Sequence, residues 1–194
     1  MDVKSKINTL LSYIFSKKFV VTAVFMSFFI AIMWYMLWAT SISHYTVLVK
    51  DFPELRIYLG FGFSMGLILT LGSLRHLPST KKLKYLGGKF FGYSAVFTVM
   101  VLNSADVYVY LFPDKTIGYL SEYDVEFPGP PRGKSGHCEA GLWIKDTNTY
   151  SWKELCTSKA ALLVERKQGM DAVWVTARVN KLGSYIVNYE FVYK

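Results

Sequence analysis

Residues 19–39 read FVVTAVFMSFFIAIMWYMLWA, 21 positions without one charge. About 20 apolar residues are needed to carry a helix across the ~30 Å hydrocarbon core of a bilayer. At a rise of about 1.5 Å per residue this run reaches about 31 Å. Two more runs follow. Ile57 to Leu74 supplies 18 residues with no charge, and Phe90 to Phe112 supplies 23 with one, Asp106. They reach about 27 and 34 Å. Arg56 and Arg75 flank the shorter run and can snorkel outward from its ends. Three such runs separated by short charged loops predict a membrane protein with three transmembrane helices, at 19–39, 57–74 and 90–112.

The loops set an orientation. Lysine and arginine favour the cytoplasmic side of short loops. The N-terminal tail carries Lys4, Lys6, Lys17 and Lys18, and the second loop carries Arg75, Lys81, Lys82, Lys84 and Lys89. The first loop, residues 40–56, has only Lys50 and Arg56, offset by Asp51 and Glu54. The N-terminus and second loop are therefore expected in the cytoplasm, with the first loop and everything after Pro113 on the far side. Trp34, Tyr35, Trp38, Tyr58, Tyr108, Tyr110 and Phe112 then gather at the outer interface, where amphipathic rings prefer to sit.

The same count disposes of a nucleic-acid reading. A formal charge of +8 and a pI of 9.3 would normally suggest one. The first 112 residues hold eleven basic and four acidic side chains, so most of the excess is a topology signal. A secretory signal peptide is the competing reading of the N-terminus. The apolar stretch is too long for one, 18 residues precede it, and Leu37-Trp38-Ala39 makes a poor cleavage site. Residues 1–18 place Val3, Ile7, Leu10, Leu11, Ile14 and Phe15 at helical spacing among lysines. They read as an amphipathic helix on the cytoplasmic face.

After Pro113 the pattern changes to that of a small extracytoplasmic α+β domain, residues 113–194. Glu122 to Phe127 alternates apolar and acidic side chains, as a half-buried strand does. Leu142 to Ile144 suits a short strand. Ser151-Trp152-Lys153-Glu154 fits a capping box and predicts a helix over 152–167, although Ala161 to Val164 also suits a strand. Ala172 to Val179 and Ser184 to Tyr193, joined by Asn180-Lys181-Leu182-Gly183, predict a C-terminal β-hairpin. The two cysteines, Cys138 and Cys156, both fall in this domain. In an oxidising compartment they should pair, which would support a core near the lower size limit.

Candidate sites are few. Gly129 to Ser135 resembles a phosphate-binding loop but has Pro128 where the first glycine should stand, and two prolines where backbone N–H groups are needed. No nucleotide is expected. His137-Cys138-Glu139 lacks the four ligands of a structural zinc site, so no metal or other cofactor is expected either. Asp106 is an intramembrane carboxylate three residues after Asn103, so both lie on one helical face. Such residues are functional candidates, with packing or an ion pair to Lys50 or Lys115 as the structural alternative. Gly62 and Gly66 form a GxxxG that lets helices approach closely, either within the chain or between copies.

No acid, base and nucleophile converge in the sequence. The function expected is therefore non-enzymatic: an interaction or accessory subunit of a membrane or envelope complex. Its partners would be the lipid bilayer and another membrane or envelope protein, or a second copy. The alternatives are a channel or transporter component using Asp106, and an envelope enzyme in the outer domain. Lysine-rich inner loops and the absence of an Asn-x-Ser/Thr acceptor in the outer domain fit a bacterial inner membrane, with the domain in the periplasm.

Overall fold

A computed structural model describes residues 17–74, 82–132 and 136–194. It divides into two compact units, residues 1–38 and 39–194. Most of the segment expected to be amphipathic, 1–18, lies outside the described residues, as do 75–81 of the second loop. Three helical stretches are long and apolar enough to cross a membrane, Lys18–Ser43, Glu54–Ser73 and Tyr85–Leu111.

The first unit is the greater part of helix α1, Lys17–Ser43. Its only polar side chains between Phe19 and Trp38 are Thr22, Ser27 and the tip of Tyr35, so it is apolar all round, as a lipid-immersed helix is. The Thr22 hydroxyl donates to the Lys18 carbonyl one turn back, which removes the cost of a bare hydroxyl in hydrocarbon.

The second unit begins with the last turn of α1 and continues into β1, Thr46–Leu48. Helix α2, Glu54–Ser73, follows. It packs against α3, Lys82–Val101, through its glycines. A Cβ on Gly62 would collide with Thr98, and one on Gly66 with Ser94, whereas Gly60 and Gly72 face open space. The GxxxG pair is thus occupied by the chain's own third span, which explains why two backbones come so close.

The third span differs from the continuous helix expected over 90–112. Helix α3 ends at Val101, and a short helix α4, Ser104–Leu111, restarts after a break at Leu102-Asn103. Asn103 adopts φ 60°, the left-handed conformation that asparagine tolerates better than most residues. A helix restart leaves backbone N–H groups unpaired, which is costly at membrane depth. The Tyr58 hydroxyl of α2 accepts one of them, from Ala105 at 3.2 Å. The Asn103 amide reaches the Thr40 hydroxyl at 3.3 Å.

The remainder is a sheet-rich region of antiparallel strands. Its strands are β2 Lys115–Ser121, β3 Tyr123–Glu126, β4 Pro131–Arg132, β5 Gly136–His137, β6 Ala140–Lys145, β7 Trp152–Thr157, β8 Ala172–Val179 and β9 Gly183–Val192. One sheet has the order β1-β9-β8-β2, a second β3-β6-β7, and β4-β5 form a small ribbon. The β8–β9 hairpin follows the sequence pattern closely. Val173, Val175, Ala177 and Val179 are buried on one side of β8, and Trp174 and Arg178 are exposed on the other. The core joins both sheets through Leu142, Ile144, Leu155, Val173, Val175 and Ile186. Each such side chain contributes about 1.5–3 kcal/mol by leaving water.

Two sequence expectations change here. The first loop was read as a plain connection and the outer domain as 113–194, but β1 lies in that loop and forms the edge strand beside β9, pairing Thr46 with Tyr185 and Leu48 with Gly183. The helix expected over 152–167 is a strand followed by a shorter helix, α5, Lys159–Glu165. Leu155 is drawn into the core opposite Leu142 of β6, a non-local contact that outweighs the local capping signal. The cap that does operate is Ser158, whose hydroxyl accepts from the Ala161 N–H at 3.1 Å. Cys138 and Cys156 form a disulfide with Cα atoms 5.6 Å apart.

Candidate functional site at the base of the sheet

The sheet-rich region meets the ends of the apolar helices, and charged groups from both converge there. The Lys153 ammonium, carried by β7, donates to the Ser43 carbonyl at 2.7 Å. That carbonyl is one of the last four of α1, which have no partner within their helix and carry its partial negative charge. Burial pulls the Lys153 pKa below its usual value, and Asp106 of α4 and Glu54 of α2 oppose that shift, Asp106 more strongly. One cation therefore answers two carboxylates and a helix terminus, drawn from four separate elements.

Asp106 is buried in the first turn of α4. A carboxylate there faces the positive end of that helix, a favourable place for it. Its electrostatic partner is Lys153, not the Lys50 or Lys115 suggested by sequence position. Asn103 does not share a continuous helical face with it, because Asn103 is the residue at which the helix breaks.

Around this cluster the sheet is fastened to the spans by backbone bonds. Asp114 N–H donates to Val179 O at 2.9 Å, and Val49 N–H to Leu182 O at 3.0 Å. The Asn180 amide donates to Phe112 O at 3.0 Å. Tyr110 meets Tyr185 edge-to-face at 4.8 Å. The turn predicted at Asn180–Gly183 thus has a second role: its asparagine ties the hairpin to the end of the third span.

A second polar centre lies within the outer region. Asp146 is wholly buried and accepts four hydrogen bonds: from Tyr119 Oη, Thr149 N and Thr149 Oγ1 at 2.7 Å and Ser184 Oγ at 2.9 Å. Burial raises the Tyr119 pKa, and the bond to Asp146 raises it further. With both oxygens engaged by fixed donors, one on Oδ1 and three on Oδ2, this is a structural carboxylate.

Sequence reasoning missed both Lys153 and Asp146. The first was read into a helix, so its direction was lost. The second had a usable signal, since Asp146-Thr-Asn-Thr149 is an Asx-type turn sequence. Of the residues weighed for metal, Cys138 is in the disulfide and Glu139 accepts from the Lys159 N–H at the start of α5, at 3.1 Å. Among the described residues no three His, Cys, Asp or Glu side chains gather as metal ligands would. Residues 133–135 of the phosphate-loop-like stretch lie outside the described residues. No protein family, no curated protein and no solved structure matches the chain.

Proposed function

We propose that the chain is a non-enzymatic accessory or interaction subunit of a membrane complex, displaying its outer domain at a fixed attitude to the bilayer. The observation that carries this is the fastening at the base of the sheet. β1 in the first loop, Asn180 on Phe112 and Lys153 on Ser43 leave no linker between spans and sheet. A domain that only needed tethering would tolerate a flexible connection. Nine lysines and arginines in the tail and second loop against two in the first loop support a cytoplasmic N-terminus and an outer domain in the periplasm of a bacterial inner membrane. The disulfide is consistent with an oxidising compartment.

Gentle-detergent purification after in-cell crosslinking tests the reading. A partner membrane or envelope protein should co-purify in fixed stoichiometry. A particle whose mass is that of one chain in its micelle would overturn it. Orientation is tested by a membrane-impermeant maleimide applied to intact spheroplasts: Cys138 and Cys156 should label only after reductant. Labelling that requires opening of the membrane would reverse the topology.

A second reading, an ion or proton path at Asp106, draws on the helix break at Asn103. Irregular backbone at membrane depth is often found where it lines a cavity or path. Flux in reconstituted vesicles that Asp106→Asn leaves intact would remove it.

A further inference from the structure

Beyond the base of the sheet, the outer domain has a groove of about 620 Å³ between α5 and β3. Val125, Leu162 and Met170 line its apolar part, and Lys159, Arg166 and Lys167 contribute three cations. No carboxylate lines it among the described residues, and Asp124 and Asp171 line an adjoining hollow that shares Val125, Phe127, Arg166 and Met170 with it. Two of the cations lie over ring faces and keep their charge. Lys159 Nζ lies 5.6 Å from the Phe127 centroid and the Arg166 guanidinium 5.2 Å from that of Tyr123. Large apolar side chains stay open beside them: Leu163 is 83% exposed, Val164 78% and Phe127 56%. On a soluble surface such a cluster marks a contact site.

Its position selects the occupant. Strand β8 runs from Ala172, which follows the groove residues Gly169 and Met170, to Val179, which is bonded to Asp114 just past the third span. Seven steps at about 3.3 Å separate the two ends by roughly 23 Å. The groove therefore opens at the end of the sheet away from the spans. A headgroup field is screened within about 8 Å at physiological salt, less than that separation along the strand, which favours a protein occupant over the chain's own bilayer. We infer that the groove between α5 and β3 is a docking site for an acidic segment of a partner protein, anchored by apolar side chains and held by Lys159, Arg166 and Lys167. This rests on the interaction-subunit reading and assigns it a surface.

The test uses the full chain in phosphatidylcholine nanodiscs and a fluorescein-labelled peptide of three Asp-Leu-Glu-Phe repeats, read by anisotropy. A peptide of three Lys-Leu-Arg-Phe repeats is the control. The acidic peptide should bind, weaken with salt, and ignore neutral competitors, while the basic one should not bind. The double substitution Arg166→Glu, Lys167→Glu should weaken acidic-peptide binding roughly tenfold or more and admit the basic peptide. Leu163→Ser, at a residue too exposed to matter for folding, should also weaken binding without changing Tm. Equal binding of both peptides, binding of neither, or indifference to the charge reversal would overturn the inference. So would recruitment of phosphatidylglycerol vesicles with no affinity for the acidic peptide. If wild-type chain co-purifies with a partner that the charge-reversed variant keeps equally well, the groove fails and the subunit reading stands. If wild type co-purifies with nothing, the subunit reading itself fails.

Discussion

Among the described residues two aspartates are buried, and the two regions that hold them do so differently. Asp146, inside the sheet-rich region, is held by four fixed hydrogen-bond donors: two hydroxyls from distant strands, and a hydroxyl and an N–H from its own turn. Asp106, where the third apolar stretch meets the sheet, has longer-range charge instead, with Lys153 as its cation and Glu54 as a competing acid nearby. The first arrangement specifies a local shape. The second joins four elements that are far apart in sequence, and its balance depends on all of them staying in position. The contrast extends to the regions as wholes. The outer region is held by a disulfide and an apolar core, whereas the span pair α2–α3 relies on small residues that let two backbones meet.

The largest break in this comparison should come from Asp146→Ala. Removing the acceptor leaves the hydroxyls of Tyr119, Thr149 and Ser184 buried without it. Each lost bond to a charged group costs about 1.5–3 kcal/mol, partly recovered by relaxation, so a net destabilisation of about 3–5 kcal/mol is expected. Tryptophan fluorescence during chemical denaturation in detergent measures it. Asp106→Asn keeps the size of the side chain and should cost about 1 kcal/mol or less. A larger loss at Asp106 than at Asp146 would invert the comparison.

The disulfide comes next. Replacing Cys138 and Cys156 together with alanine reopens a connection of 18 residues. In the chain-entropy account this costs about 3 kcal/mol. The loss should appear in the unfolding of the sheet region and leave the helical signal of the spans unchanged, which circular dichroism separates by wavelength and by denaturant. Equal loss from both signals would mean that the two regions unfold as one.

Gly66→Val attacks the other side. The added methyls have no room between α2 and Ser94, and overpacking costs about 1–3 kcal/mol. The effect should be confined to the span pair: greater sensitivity to SDS, with the unfolding of the sheet-rich region unchanged. Gly72→Val, at a glycine facing open space, should have little effect and serves as its control.

How much of this was legible in the sequence depends on whether the deciding contacts were local. The break at Leu102-Asn103 was not legible, but the three long apolar stretches were, because bilayer thickness sets a minimum length for a run of residues. So was the β8–β9 hairpin, where Val173, Val175, Ala177 and Val179 alternate and a four-residue turn closes the register. Strand β7 was not. Ser151-x-x-Glu154 makes a satisfactory capping box, and only the pairing of Leu155 with Leu142 across the sheet decides against it. Strand β1 was hidden because three residues carry too little pattern, and its partner β9 lies more than 130 positions away. The charged cluster was hidden for the same reason. Asp106 could be singled out from sequence, but nothing in the order of residues brings Lys153 and Ser43 to it.

The smallest expected effect separates the two regions by their response to pH. Lys153 has a folded-state pKa below its ordinary value of 10.5, because burial disfavours the ammonium. The unfolded chain therefore binds this proton more tightly than the folded one. Stability from this group is fully present above pH 10.5 and is lost as pH falls through the depressed folded value. Wild type should accordingly gain stability relative to Lys153→Met as pH rises from neutral towards 10.5. Tyrosines such as Tyr119 act in the opposite sense at the same pH, since a raised folded-state pKa means stability is lost once pH exceeds the ordinary tyrosine value. They are common to both chains, so the difference between the two Tm curves isolates Lys153. Parallel curves would mean that the lysine is solvated in the folded state. The two carboxylates beside it would then be balanced by water, and the contrast with Asp146 would reduce to a difference in burial alone.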